Sequence, residues 1–287
     1  MADDQAPPRP PRQHTVVAGA EPIRLGSMLV TLVEPHRGHE VAYNRWYERD
    51  HFYAGCMIGP YQFAGRRFVA TADLKRLRQP DPSAITGSPA RGSYVSLYWV
   101  LDGYHDVWNR WAVDQVKALH RAGRMFDERD HVHTLLYRFA WDARRPGSGR
   151  PGDEGVPAEL ALDYPSRGLV LVWTDAGAGE DPAAVGDWLR DEVVPGAVDG
   201  ASAAVVVAAT PLPLLIDAPG DVPRSEGADG RLLTLWFLDD EPAAAWEGID
   251  AFTRAVAASG RASVVAALPF VPTVPGTDTY TDRLWLD

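Results

Sequence analysis

Cysteine is almost absent: Cys56 stands alone among 287 residues. That excludes an internal disulfide framework and a metal site built on clustered cysteines, and it suits a reducing compartment. Histidine is missing from the second half. All eight lie at positions 14, 36, 39, 51, 105, 120, 131 and 133, so chemistry needing a group that titrates near neutrality belongs to the first half. No hydrophobic run is long enough for a membrane span. The most apolar stretch, 201–216, falls short of the roughly 20 residues required and is interrupted by Thr210, Pro211 and Pro213, so it reads as a buried strand. Basic blocks are lacking as well, and a formal charge of −11 makes a nucleic-acid backbone a poor partner. The sequence holds no Walker-type phosphate loop, no dinucleotide fingerprint and no nucleophile elbow, which disfavours nucleotide cofactors. Residues 1–22 contain Pro7, Pro8, Pro10 and Pro11 but no apolar segment of the secretory kind, so a disordered tail on a cytoplasmic protein is expected.

What is present is globular in composition, 46% hydrophobic and 23% charged. The charge is unevenly divided. Residues 1–145 carry 20 Lys and Arg against 16 Asp and Glu, whereas residues 146–287 carry 8 against 23. Apolar runs at 27–33, 61–71, 94–101 and 133–141 read as strands, with helical patterns at 39–52 and 106–122 between them. The Pro- and Gly-rich stretch 73–92 reads as a loop. A linker at 146–166 precedes a second set: strands at 169–173, 203–209, 232–238 and 262–270, and helices at 182–194 and 242–258. Each half is therefore β-α-β-β-α-β, a ferredoxin-like plan, with residues 23–145 and 167–275 as the two repeats and 276–287 as a tail. Trp99-Val100-Leu101-Asp102 parallels Trp236-Phe237-Leu238-Asp239, and Trp108 parallels Trp246. A four-stranded sheet with helices on one face leaves the other uncovered. The expected solution is face-to-face packing of the halves into one pseudo-symmetric αβ barrel, with a cavity between the sheets and the 73–92 loop over its mouth.

The segment Asn44-Arg45-Trp46-Tyr47-Glu48-Arg49-Asp50-His51, followed by Gly59-Pro60 and Arg66-Arg67-Phe68, resembles the dimeric α+β barrel superfamily, nearest its EthD-like branch. The second half has no copy of this motif; its first helix reads Ala184-Val185-Gly186-Asp187-Trp188-Leu189-Arg190. The resemblance therefore implies a fused form in which a degenerate second repeat replaces a partner subunit, with a homodimer of the fused barrel as an open oligomeric state. Relatives include cofactor-free oxygenases, polyketide cyclases, isomerases and haem enzymes, so the family implies fold more sharply than reaction. Haem-binding barrels of this plan take a proximal histidine from the C-terminal half, and none follows His133. No haem and no metal is expected, and the cofactor expectation is none.

On a helix Tyr43, Tyr47 and His51 share one face. His51 is the candidate general base, its tautomer fixed by Glu48 or Asp50 and its pKa raised at the helix end, and Tyr47 is a hydrogen-bond donor to a substrate oxygen. The plainer alternative makes Trp46 and Tyr47 core aromatics and His51 a cap. Arg66 and Arg67 point to opposite faces of a strand, so one of them can stabilise an anionic oxygen, or else pair with the acidic second half. His131 and His133 share a strand face by alternation, the weak outline of a metal pair. Cys56 reads as an apolar filler. Tyr43, Trp46, Tyr98, Trp99 and Trp108 are the candidate substrate-binding residues, an aromatic wall suited to a hydrophobic small-molecule substrate. Together these readings point to a cofactor-independent enzyme doing acid–base chemistry, such as cyclisation, dehydration or isomerisation. The runners-up are a cofactor-free monooxygenase and a non-catalytic binding barrel.

Overall fold

The computed structural model describes residues 22–147, 153–215, 220 and 230–286; most of the Pro-rich tail and part of the linker lie outside them. In the first half β1 (Leu25–Pro35) leads to α1 (Glu40–Trp46), which runs on as a π-helical segment, Tyr47–Met57. Next come β2 (Gln62–Val69), α2 (Ala72–Leu77), the two-residue β3 (Gln79–Pro80), α3 (Ser83–Thr86), β4 (Tyr94–Leu101), α4 (His105–Arg121) and β5 (Arg129–Arg144). The second half has β6 (Gly168–Ala176), α5 (Pro182–Trp188) with its own π-helical turn at Leu189–Val193, α6 (Val194–Ala197), β7 (Ala203–Leu212), β8 (Arg231–Leu238), α7 (Pro242–Ser259) and β9 (Ala262–Pro272). The stretch 73–92 is thus not a plain loop. Thr71 caps α2 by accepting from Leu74 N, and Arg78 ties down the chain beyond α3 by donating to the carbonyls of Pro89, Arg91 and Gly92.

The fold is α+β with one large antiparallel sheet. Its strand order is β2-β4-β1-β5-β7-β8-β6-β9-β3, and β2 also pairs with β9 through Phe68↔Pro272 and Val69↔Val271. Within each half the four long strands lie in the same relative order, second-third-first-fourth. β5 joins β7 along Leu136↔Leu212 to Arg144↔Val205, and the β2–β9 pairing brings the first strand of the order against the last of the long strands.

Strand alternation sends one set of side chains inward. Met28, Val30 and Leu32 of β1, Leu97 and Trp99 of β4, and Leu135 and Tyr137 of β5 meet Leu169, Leu171 and Trp173 of β6, Leu235 and Phe237 of β8, and Leu268 and Phe270 of β9. Leu74 and Ile85 from the α2–α3 segment join the same core, as do Ala158, Ala161 and Leu162 from the linker. Trp99 lies fully buried here and donates Nε1 to the Ala158 carbonyl. The expected cavity between the sheets is therefore replaced by packed hydrocarbon, closed by chain at both ends of β1. Buried aromatic and aliphatic side chains contribute roughly 1.5–3 kcal/mol each, so leaving this volume empty would forfeit much of the driving force for joining the halves.

The outer faces carry the helices. In the second half Trp246, Ile249, Phe252 and Val256 of α7 pack on Val170, Val172, Val206 and Trp236. The parallel between Trp99 and Trp236 consequently fails by one residue. Trp99 points inward, its ring 6.5 Å from that of Phe237, while Trp236 points to the helices. The C-terminal segment 273–286 crosses back to the first half, where Asn44 donates to the Thr277 carbonyl, Arg45 pairs with Asp278 and Leu284 is fully buried. Among the described residues no helix is long and apolar enough to cross a membrane.

Candidate functional site

The outer face of the first half is packed less tightly. Leu29, Thr31 and Val33 of β1 and Thr134 and Leu136 of β5 form its floor, and Trp108, Asn109, Ala112, Val113 and Val116 of α4 form one wall. These α4 positions recur at helical spacing, on the face the helix turns to the cavity. The π-helical segment supplies the other wall with Tyr47, His51, Gly55 and Cys56, and Gln115 of α4 anchors it by donating to the Ala54 carbonyl at 2.6 Å. Leu214, Met125, Arg129 and His131 complete a cavity of about 120 Å³.

His51 takes its place because of two neighbours. Its ring stacks on Trp46 with centroids 4.6 Å apart and meets Tyr47 edge-on at 5.2 Å. Gly55 leaves the room: a Cβ there would lie 2.7 Å from His51 Cε1. The His51 Nδ1 is buried without a hydrogen-bond partner. Burial, reinforced by the positive charges of Arg129 and His131, lowers the pKa of the imidazole to about 3. This corrects the expectation that a helix end would raise it. Neither carboxylate orients the ring. Asp50 pairs with Arg124, while Glu48 lies 3.5 Å from Arg67 and accepts from Gly276 N at 3.0 Å.

Tyr47 shares a hydrogen bond with Tyr98 between their hydroxyls at 2.7 Å, and Tyr98 in turn meets the Cys56 thiol. Burial holds both phenols well above their ordinary range and pushes the thiol up to about 12. General acid–base catalysis works best with a group whose pKa lies near the operating pH. Here the imidazole, phenols and thiol are all driven toward their neutral forms.

The remaining expected residues are dispersed. Arg67 is buried behind Tyr47, its guanidinium 4.3 Å from that ring and its Nη1 donating to Asn44 Oδ1 at 3.0 Å. It lines a separate recess beside Thr273 and Pro275. Arg66 is spent on chain closure, donating to Tyr164 O at 2.5 Å and to Ser166 Oγ at 3.2 Å, rather than on the acidic surface. Tyr43 is fully buried against Tyr94 and Phe126, away from the cavity. Trp46 backs His51 and donates to the Arg124 carbonyl at 2.9 Å. Trp108 does line the cavity and donates to Gln62 Oε1 at 3.0 Å. Trp99 is in the inner core.

His131 and His133 do not share a face. The β1–β5 pairing steps from Leu32↔His133 to Val33↔His131, and the extra residue, Val132, is a β-bulge that reverses the alternation. His133 turns inward to Tyr137 Oη at 2.9 Å, and His131 turns to the cavity with Nδ1 2.9 Å from Thr134 Oγ1. Among the described residues no three His, Cys, Asp or Glu side chains converge as metal ligands would. Sequence reasoning named Trp108 but missed Gly55, Arg129 and the rest of the α4 wall, and took Cys56 for an apolar filler. The α4 spacing 108, 109, 112, 113 and 116 was the available signal.

No protein-family model matches the chain, and no curated protein does. Solved structures of similar fold include a candidate chlorite dismutase, at 12% identity over 91% of this chain and 100% of that one with a TM-score of 0.47. A candidate monooxygenase from Fusobacterium nucleatum is 8% identical over 88% and 94%, with a TM-score of 0.47. A haem-binding protein from Thermus thermophilus is 11% identical over 92% and 96%, with a TM-score of 0.40. The expectation of a cofactor-independent lyase, cyclase or isomerase is corrected. In this chain the groups around the cavity are held far from the pKa that proton transfer needs.

A haem does not fit this cavity. The cavity of about 120 Å³ is below the roughly 300–1,000 Å³ usual for cofactor sites. A metal-ligating histidine ordinarily donates its second ring nitrogen to a carboxylate or carbonyl, whereas His51 Nδ1 has no partner. The second half contains no histidine.

Proposed function

We propose that the cavity on the outer face of the first half binds a small molecule whose body is about the size of one ring, and that the chain oxidises it as a monooxygenase. The carrying observation is the cavity itself: about 120 Å³, floored and walled mainly by hydrocarbon, with His51, Tyr47 and Cys56 at its edge held uncharged. Apolar cavities near 150 Å³ stay dry and take benzene or xenon, and dioxygen is apolar and smaller. Such a mainly apolar site suits apolar reactants. In the reaction one oxygen atom enters a C–H bond and the other leaves as water. The two electrons come from a diffusible reductant such as ascorbate, with two protons from solvent.

The same reading takes the closed strand order as a pseudo-twofold barrel of two ferredoxin-like repeats, residues 23–145 and 167–275, of the EthD-like branch. The strand order repeated in each half and the single copy of the 44–51 motif support it.

Oxygen uptake with ascorbate and a panel of monocyclic phenols tests the proposal, with Ala112→Phe as the control that fills the cavity from α4. Uptake matched by hydroxylated product in the natural protein, and lost in a folded Ala112→Phe, is the expected result. Equal uptake by the two proteins, or none with the whole panel, would refute it.

A further inference from the structure

Helical spacing puts Asn109, Ala112, Val113 and Val116 on one stripe of α4, and all four line the cavity. Three of them are hydrocarbon. Asn109 is 6% exposed, and among the described residues its carboxamide has no hydrogen-bond partner. A carboxamide taken out of water without partners opposes folding. Leucine would fill the same place on the stripe with a better helix propensity and no polar atom to satisfy.

The polar side chains around Asn109 are spent within the protein. Thr31 Oγ1 lies 2.8 Å from Thr134 Oγ1, which is also 2.9 Å from His131 Nδ1. Tyr47 is bonded to Tyr98, and Trp108 donates to Gln62 Oε1. On the facing wall His51 Nδ1 is unpaired, but it is turned onto Gly55, 2.8 Å from where a Cβ would stand. Asn44 shows what a buried asparagine does in this fold when its role is structural: it is 3% exposed, donates to the Thr277 carbonyl and accepts from Arg67 Nη1. Asn109 joins no two elements in that way.

We propose that Asn109 binds the hydroxyl group of a phenol whose ring lies between α4 and the sheet. This rests on the reading of the cavity as a small-molecule site. A hydroxyl donates to the amide oxygen of asparagine or accepts from its amide nitrogen. It is also about as small as a methyl group, which matters where a volume of about 120 Å³ limits the ligand to little more than one ring. A site built to hydrogen-bond a hydroxyl rejects the analogue that lacks it, because the buried partner is then left unpaired, whereas a purely apolar pocket separates the two poorly.

Isothermal titration of the full chain with phenol and toluene, which differ by a hydroxyl in place of a methyl, provides the test, with Asn109→Leu as the comparison. The ratio of phenol to toluene affinity is expected to fall by about 10-fold or more in Asn109→Leu. Taking the ratio in both proteins cancels the unequal cost of removing the two probes from water. Should Asn109→Leu fail to fold, Asn109→Ala is expected to lower the same ratio, since the space it opens serves both probes alike. An unchanged ratio in a folded variant overturns the role of Asn109 while leaving the cavity as a site. Failure of both probes to bind the natural protein overturns the cavity reading together with it.

Discussion

Three helical glycines provide a graded test of the packing around His51. At Gly55 an added Cβ would lie 2.7 Å from His51 Cε1 and 2.8 Å from Nδ1, well inside van der Waals contact. The imidazole must retreat by about half an ångström or more, and Trp46 blocks one direction because it stacks in turn on Phe126 at 5.6 Å. Overpacking of this kind costs about 1–3 kcal/mol, against which alanine recovers about 0.5–1 kcal/mol of helical backbone entropy. Gly55→Ala should therefore be destabilised by about 1–2 kcal/mol and should bind toluene more weakly, as the ring is pushed toward the cavity. Gly186 in α5 has nothing within 4 Å of an ideal Cβ, so Gly186→Ala should gain about 0.5–1 kcal/mol. Gly248 in α7 would place its Cβ 2.3 Å from backbone atoms of Gly200 and Ala201, which cannot move as a side chain can. Gly248→Ala should be the most damaged of the three. Urea unfolding of the variants with a common slope reads all three differences. A Gly55→Ala protein as stable as Gly186→Ala, with unaltered toluene affinity, would refute the placement of His51 over Gly55.

The histidines predict a pH dependence of stability. His51 and His133 are lowered by burial to about 3 and about 4, so below the unfolded value near 6.5 the unfolded chain takes up protons that the folded chain refuses. Stability should then fall with decreasing pH by up to about 1.4 kcal/mol per unit for each. His36 acts oppositely, its pKa raised by Glu128 and Asp130; its contribution is present below the unfolded value and lost as pH rises through the folded one. Urea midpoints at pH 7, 6 and 5 check the balance, and His51→Gln should flatten the acid limb; an unchanged limb would contradict the buried neutral imidazole. Lys75 is fully buried, donating to Ser93 Oγ at 2.7 Å and to the Leu284 carbonyl at 2.8 Å, with Glu34 3.5 Å away. Lys75→Met should cost about 3–5 kcal/mol, because it removes the ammonium facing the buried Glu34 carboxylate and leaves it only the two bonds from Ser93. A loss below about 1 kcal/mol in the same titration would mean that Glu34 finds another partner.

Several strands were legible as largely apolar runs, and 94–101 and 203–209 lie within observed strands. What could not be read depends on residues distant in sequence. Whether a ring of strands encloses a cavity is decided by what enters from outside, here Leu74 and Ile85 on one side and Ala158 and Leu162 on the other. The pKa of His51 depends on its burial and then on Arg129 and His131, and the side on which His131 falls depends on a bulge at Val132 that no local residue announces. The Trp46–Tyr47–His51 cluster was found, but as a proton-transfer site, since helical spacing gives proximity and says nothing about desolvation.

The cavity lies on the outer face of the sheet, while the inner core is filled by other side chains. Methyl NMR of leucine- and valine-labelled protein during a toluene titration tests it directly. The account predicts shifts at Leu29, Val113, Val116, Leu136 and Leu214, which line the cavity, and none at Leu171, Leu235 and Leu268, which fill the inner core. Shifts confined to the inner set, or spread evenly over both, would contradict it.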